Sequence, residues 1–495
     1  MTRYAFVIDQ TRCIGCHACT VACKMENHVP LGVYRTWVKY IERGELPNTR
    51  RFYTVLRCNH CDNPPCVYIC PTSALYRRKD GIVDFDNDRC IGCKACMQAC
   101  PYDALYIDPE TETAAKCHFC AHRVEQGLEP ACVIVCPTGA IIWGDLDDSL
   151  SPVAKALGDK PAVARKPEQG TKPKLYYIGA DQHALTPTAH RRQQTYMWSD
   201  RADGGEGSET LATEAETVYD VHHPRPWGNK ISAYIFTKAI AAGLMFILSL
   251  LTLIFPTLPP QTHSLVPSLS LLFLAATGVL LVADLKQPFR FHYVIIKPNP
   301  SSWLTRGTFI ISAFGLLTIL WMFTKNELLT VPTMLVAAAA AGYSGLLFGQ
   351  CEGRDFWQSP STLLHFIFTA PQAGSAALII LSPMLQFSAE AQAFLGLSLA
   401  LSNILVGLTA LSDIFQHHTT SEARIAASYM YRGPGAPLFW TLFFTVGIVA
   451  STAAAYLYMS SANYIYGLTS SLTSLAGLAV YEVLWMKAGQ AAPLS

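Results

Sequence analysis

The chain has 495 residues, a formal net charge of +1 and a hydrophobic share of 51%. That length suits two or three domains, and a near-neutral charge without a basic run argues against a protein that grips nucleic-acid phosphates. The apolar residues are unevenly spread: residues 1–230 are mixed and polar, while 231–487 are mostly apolar, the pattern of a soluble half joined to a membrane half.

Of the 17 cysteines, all but Cys351 lie between Cys13 and Cys136. The opening stretch MTRYAFVIDQTRC has no apolar signal core and no twin arginine, so a secreted disulfide scaffold is not expected. The cysteines instead repeat with metal-ligand spacing. In chain order the motifs are Cys13, Cys16, Cys19, Cys23; then Cys58, Cys61, Cys66, Cys70; then Cys90, Cys93, Cys96, Cys100; then Cys117, Cys120, Cys132, Cys136. A C-x2-C-x2-C loop turns three sulfurs and several backbone N–H groups toward one cubane. The fourth cysteine, three residues on, is expected to start a helix that points away and to ligate the other cluster of a pair. Pro71, Pro101 and Pro137 follow three of the motifs, lack an N–H and fix the turn.

Motifs two and three are expected to form one ferredoxin unit, in which Cys58, Cys61 and Cys66 share a cluster with Cys100, and Cys90, Cys93 and Cys96 share one with Cys70. Asp9-Gln-Thr-Arg-Cys-Ile-Gly-Cys is echoed at Asp86–Cys93, and CPTSALY, CPYDALY and CPTGAII follow three motifs. ALYRRKDGIVDFD reads as strand, Asp-Gly turn, strand. Structural zinc also uses C-x2-C pairs, but it requires neither the third cysteine nor the C-x3-C-P ending.

The four motifs in this order, with ACKMENHVPLGVYRTWV after the first and CNHCDNPPCVYICPTSAL in the second, resemble the iron–sulfur subunits of the DMSO-reductase superfamily of molybdenum and tungsten enzymes. The resemblance covers residues 1 to about 180. It implies that motifs one and four pair: Cys13, Cys16 and Cys19 with Cys136, and Cys117, Cys120 and Cys132 with Cys23. Cysteine stands at every ligand position, which implies four [4Fe–4S] clusters. Lys24 departs from the pattern, because proline follows the other three terminal cysteines.

The stretch after Leu146 is rich in Pro, Gly and charge, without sustained periodicity. LYYIGADQH is a predicted strand completing the first domain. The remainder, including SDRADGGEGSETLATEAET, reads as an extended connection lying over both domains or as partly disordered.

Eight apolar stretches follow, at about 231–256, 264–284, 303–323, 328–349, 360–382, 391–415, 437–458 and 464–486, each near the ~20 residues a span needs. The even number puts both ends of this half on the cluster side. Arg225, Lys230, Lys286, Arg290, Lys297, Arg306, Arg354, Arg424, Arg432 and Lys487 fall on that side and only Lys325 on the other, which predicts a cytoplasmic cluster domain. Ionisable residues also gather there: His222, His223, Lys238, Asp284, Glu352, Asp355, His365, Asp413, His417, His418 and Glu422. Lys238 and His365 fall inside apolar spans, where such residues are costly and mark function. Haem b usually needs axial histidines within the spans; only His365 lies clearly inside one, so no haem is expected. Cys351 reads as incidental.

VHHPRPWGNKISAYIFTKAIAAG, NPSSWLTRG and GYSGLLFGQCEGRDFWQSP resemble the polysulfide-reductase-type, or NrfD-like, membrane subunits. That resemblance implies a haem-free quinone-binding domain, with a pocket near His222, His223, Tyr234, Lys238 and Asp284 and the quinone being ubiquinone or menaquinone.

The expected fold is an α+β double ferredoxin-like iron–sulfur domain over 1–180, an extended linker over 181–228, and an all-α eight-helix transmembrane bundle over 229–488. The expected function is electron transfer between a membrane quinone and a molybdenum or tungsten pterin catalytic subunit in a respiratory oxidoreductase of the inner membrane. No nucleotide-binding glycine loop is present. Two rivals stand beside it: a component of a haem-containing quinol:cytochrome c complex, and a passive anchor that binds no quinone. Ion translocation draws little support from the weakly ionisable far half. Sulfite, thiosulfate, polysulfide, formate, nitrate and arsenic oxyanions all stay open as terminal substrates.

Overall fold

The computed structural model describes residues 2–44, 47–192, 215–255 and 257–495. The described residues of the N-terminal half form twelve short strands: β1 (Tyr4–Asp9), β2 (Thr36–Arg43), β3 (Arg50–Arg57), β4 (Leu75–Arg77), β5 (Val83–Phe85), β6 (Leu105–Ile107), β7 (Ala114–Lys116), β8 (Ile141–Asp145), β9 (Ala162–Ala164), β10 (Leu175–Ile178), β11 (Arg191–Arg192) and β12 (Ala215–Tyr219). One sheet has the order β8-β1-β10-β9, with Phe6 opposite Trp143 and Ile8 opposite Tyr177. A second runs β11-β12-β2-β3. β4–β5 and β6–β7 are separate hairpins, the first at the Asp-Gly turn read from the sequence.

Short helices carry the later cysteines: α1 (Ala18–Glu26), α2 (Pro65–Ile69), α3 (Ala95–Ala99), α4 (Ala121–Val124) and α5 (Ala131–Ile134). Here the structure corrects the expectation that the fourth cysteine starts a helix. Cys66 and Cys96 lie inside α2 and α3, and Cys70 and Cys100 cap their C-termini in extended conformation. The three residues of C-x3-C make one turn, so the helix has to lie between the third and fourth cysteines. Pro71 and Pro101 then force the chain out. After Cys23 there is no proline, and α1 continues to Glu26.

β12 pairs with β2, Thr217 facing Ile41, so the C-terminal part of the predicted linker returns to the cluster half. Residues 193–214 of the predicted extended connection lie outside the described residues.

Among the described residues, the C-terminal half has eight helices long and apolar enough to cross a membrane: Asn229–Ile254, Thr262–Asp284, Trp303–Thr324, Glu327–Gly349, Ser361–Ile380, Ala389–Phe415, Ala436–Ser461 and Tyr464–Gly489. The first and fifth spans are the most buried and cross with near backbone contact. A Cβ on Gly243 would stand 1.9 Å from the Ala370 carbonyl oxygen, and one on Gly374 2.2 Å from Gly243. Gly447 and Gly477 make a similar crossing between the seventh and eighth spans. Small residues of this kind let membrane helices approach closely. Leu272, Val279, Leu316, Phe323, Leu335 and Leu401 are exposed, the surface that hydrocarbon would cover.

Candidate functional site

The cysteine loops depend on backbone that L-residues rarely adopt. Gly15, His60, Gly92 and Phe119, each just before the second cysteine of its motif, all have positive φ, from 45° to 71°. This turn brings N–H groups onto sulfur: Gly92 and Ala114 donate to Cys90 Sγ at 3.4 and 3.3 Å, and Ala140 donates to Cys136 Sγ at 3.2 Å. Glycine at 15 and 92 is also a matter of space, since a Cβ would meet Tyr53 at 2.4 Å and Lys286 at 2.5 Å.

The thiols gather in fours. Cys13, Cys16, Cys19 and Cys136 line one small pocket. Cys23, Cys117, Cys120 and Cys132 line another, and Cys70, Cys90, Cys93 and Cys96 a third. Cys61 and Cys66 each lie within electrostatic reach of Cys58 and Cys100. Among the described residues no three His, Cys, Asp or Glu side chains converge closely enough to hold one metal ion. Three of the quartets line a space, the donor set and setting that a polynuclear iron–sulfur cluster takes. Burial pushes the thiols of Cys19 and Cys100 up to about 11 and that of Cys93 up to about 12. Sulfurs so placed become thiolates when iron supplies the counter-charge. Burial also acts upward on Cys136, but the N–H groups of Ile141 and Ala140 outweigh it and hold that thiol below its usual value.

The quartets follow one another. Cys96 is an electrostatic neighbour of Cys66, Cys117 of Cys58, and Cys19 of Cys132. At one end the quartet of Cys70, Cys90, Cys93 and Cys96 rests on the membrane half. Asn299 donates to the Cys70 carbonyl at 2.8 Å, Ser302 to Ile69 at 2.7 Å and Thr305 to Pro71 at 3.0 Å. Trp227 Nε1 donates to the Cys93 carbonyl at 3.1 Å and Arg290 to that of Cys90 at 3.3 Å. Gly353 packs against the Gln98 and Cys100 carbonyls, and Arg354 donates to Gln98 at 2.8 Å. The NPSSW and CEGRDFW segments singled out in the sequence thus form the junction. At the other end Cys16 is exposed, while Cys13 and Cys136 are half-buried.

Of the five residues proposed around a quinone, the structure brings Tyr234 and Lys238 together on the first span, both buried. Lys238 Nζ donates to the Ala341 carbonyl at 2.9 Å and to Ser344 Oγ at 2.5 Å. It lies 4.5 Å from the Tyr343 ring and 5.2 Å from that of Phe366. Stacked and edge-on rings continue from Phe366 through Phe348 to Trp227, and so to Cys93. The other three stand apart. Asp284 pairs with Lys94 at 2.8 Å, and His222 is exposed. His223 lies between Asp103 at 2.7 Å and Asp220 at 3.4 Å. Burial acts to lower the His223 pKa, but the two carboxylates outweigh it and raise it to about 9.

His365 sits in the fifth span with no exposed surface, 3.2 Å from Glu482 on the eighth. Its ring stacks on Trp485 at 5.4 Å. Ser361 donates to the Asp413 carboxylate nearby. His365 Nδ1, Glu482 Oε2, Asp413 Oδ2 and the Tyr481 hydroxyl are buried without protein partners, a concentration that calls for water or a ligand. Glu482 was not singled out from the sequence, although an acidic residue inside an apolar span is a signal.

Comparison with known proteins matches these parts. Residues 49–146 match the 4Fe-4S dicluster domain and residues 10–26 a 4Fe-4S binding domain. Residues 217–493 match the family described as polysulphide reductase, NrfD. The B subunit of tetrathionate reductase from Salmonella typhimurium is 48% identical over 202 residues, 40% of this chain and 80% of that protein. The B component of polysulfide reductase from Wolinella succinogenes is 45% identical over 179 residues, 36% of this chain and 94% of that protein. Protein NrfC of Escherichia coli is 45% identical over 179 residues, 36% of this chain and 80% of that protein. The chain is a multi-pass membrane protein that belongs to the polysulphide reductase NrfD family and carries, fused ahead of its membrane helices, an iron–sulfur electron-transfer half like those of oxidoreductase complexes.

Proposed function

We propose that this chain passes electrons between a membrane quinone and a molybdenum or tungsten pterin catalytic subunit through four [4Fe–4S] clusters. The ligand sets are Cys70, Cys90, Cys93 and Cys96; Cys58, Cys61, Cys66 and Cys100; Cys23, Cys117, Cys120 and Cys132; and Cys13, Cys16, Cys19 and Cys136. The observation that carries this reading is their sequence in space, from carbonyls gripped by the membrane half to the exposed Cys16. Each cluster, when bound, supplies a one-electron site. The chain's residues bury most of the ligand sulfurs, fix the spacing of the sites and donate N–H groups to several of the sulfurs. Ile14, Val21, Met25, Leu31 and Ile134 are exposed in the first and fourth motif regions, an apolar surface suited to a catalytic partner. The names of the relatives, which belong to reductases of tetrathionate and polysulfide, support a sulfur-compound substrate on that partner.

Lys238 offers a quinone carbonyl a buried N–H donor, a few rings from Cys93. Quinone chemistry moves protons with electrons, and His365, Glu482 and Asp413 give it acid–base groups. His365 Nε2 is already taken up by Glu482, which favours a haem-free domain. Several basic residues of the cluster side serve docking: Arg290 on Asn87 and Cys90, Arg354 on Gln98, and Lys286 beside Glu112. Arg225, Lys230, Lys297, Arg306, Arg424, Arg432 and Lys487 remain as the support for a cytoplasmic cluster domain at the inner membrane.

The test is anaerobic mixing of the detergent-purified complex with a quinol analogue while cluster reduction is followed optically. Lys238→Met is expected to slow reduction roughly 100-fold, with dithionite reduction unchanged. Equal quinol rates in both proteins would remove Lys238 from the quinone site, and no reduction by quinol in either would favour the passive anchor.

A further inference from the structure

Arg57 closes β3 with 1% of its surface exposed. Its Nη1 donates to Cys132 Sγ at 3.0 Å, and its guanidinium lies 4.6 Å from the Phe6 ring. Nε and Nη2 are buried without a hydrogen-bond partner, and no carboxylate pairs with this cation among the described residues. A buried cation needs an anion, because desolvation of an unpaired charge is strongly unfavourable. The anions within reach are sulfurs: Cys132, Cys117 and Cys23 of one quartet, and Cys19 of the next. Arg57 itself lines the pocket of Cys23, Cys117, Cys120 and Cys132. Lys116 is a second buried cation one quartet nearer the membrane: it is fully buried, donates to the carbonyls of Val83 and Cys117 and not to a sulfur, and is an electrostatic neighbour of Cys66.

We propose that Arg57 sets the reduction potential of the cluster held by Cys23, Cys117, Cys120 and Cys132, the third station from the membrane. This rests on the reading that the quartet holds a [4Fe–4S] cluster. One electron entering that cluster adds one negative charge, breaks no bond and takes up no proton. A fixed guanidinium on a ligand sulfur stabilises the more negative, reduced form more than the oxidised one, and so raises the midpoint. Arginine does not lose its proton in proteins, so its effect is the same in acid and alkaline buffer. A lysine at 57 would keep the charge but lose the planar fork and its aligned N–H···S bond. Arg57 is a positioning residue for electron flow: it lets the third station accept an electron from the second without a steep uphill step.

The experiment compares the purified wild-type, Arg57→Gln and Arg57→Lys complexes by iron analysis and EPR-monitored redox titration. In Arg57→Gln, with wild-type iron, one [4Fe–4S] midpoint is expected to fall clearly, the cluster bearing Cys19 to shift less, and the two nearer the membrane to hold. Arg57→Lys is expected to lower the same midpoint by a smaller amount. Four unchanged midpoints in an iron-replete Arg57→Gln protein would overturn the proposal. Should Arg57→Gln lose iron, Arg57→Lys decides: a fall confined to the one cluster supports the assignment, and four wild-type midpoints overturn it. Failure of the underlying reading is separable, because the wild-type protein would then lack that cluster's signal before any variant is compared.

Discussion

At the scale of single residues, His223 shows how the junction of the two halves is held. Its two ring nitrogens face Asp103 and Asp220, Ser495 lies 3.1 Å from Nε2, and Trp37 packs 5.4 Å away. The imidazolium is favoured in the fold, with its pKa raised to about 9 from an ordinary 6.5. A folded-state pKa above the unfolded one contributes stability that is complete below about pH 6.5 and is lost as pH rises through about 9. The ceiling on that contribution is about 3 kcal/mol. Thermal unfolding in detergent is therefore expected to show a fall in stability between neutral and alkaline pH, and His223→Gln to flatten that part of the profile. An unchanged slope in the variant would remove His223 from this role. The cysteines were legible because ligand spacing is local: Cys90 to Cys96 can be read from one short loop. Arg57 was not found, because what marks it is burial without a carboxylate beside Cys132, which is remote in sequence; Glu482 was passed over although it is an acidic residue inside an apolar span. The sequence reading gathered His223 and Asp284 with Lys238 because all lie near the first two spans. In the structure their charges are met instead by Asp103, Asp220 and Lys94.

At the scale of elements, the membrane half depends on backbone crossings more than on side-chain bulk. Gly243→Val would drive side-chain atoms into the Ala370 and Gly374 backbone of the fifth span. It is expected to cost roughly 1–3 kcal/mol or more, read as a lowered melting temperature in detergent. Gly278→Val, on the second span with nothing within 4 Å of its Cβ, is expected to leave it unchanged. Equal melting temperatures for the two variants would mean that the first and fifth spans do not cross as described. The eight spans were legible to within a few residues because about twenty apolar residues in a row have few alternatives. β12 was not: AETVY is short, and its partner β2 lies far back in the chain, with Ala215 opposite Arg43. The α helices of the cysteine loops were misplaced by one cysteine because the ligand pattern fixes where sulfurs point and not which turn joins them.

At the scale of the whole molecule, hydrogen bonds from Trp227, Asn299, Ser302 and Arg290 to carbonyls in and beside the Cys70–Cys96 quartet join the two halves, and on the proposed function electrons cross there. Replacing Cys93 by Ser should therefore stop quinol from reducing the remaining clusters, while dithionite still reduces those nearer Cys16. Reduction of the distal clusters by quinol at the wild-type rate would show that electrons enter elsewhere. The two-part architecture was legible from composition, but sidedness was less so, because Arg290, Arg354 and Lys286 grip the cluster half and also count in the charge bias. The central claim is a wire of four [4Fe–4S] clusters leading from the membrane to a catalytic partner. It is tested most directly by metal analysis and redox-poised EPR on the complex purified in mild detergent. The account predicts about sixteen irons on this chain, four [4Fe–4S] signals and stoichiometric molybdenum or tungsten. Zinc in place of iron, or haem with no molybdenum or tungsten, would contradict it.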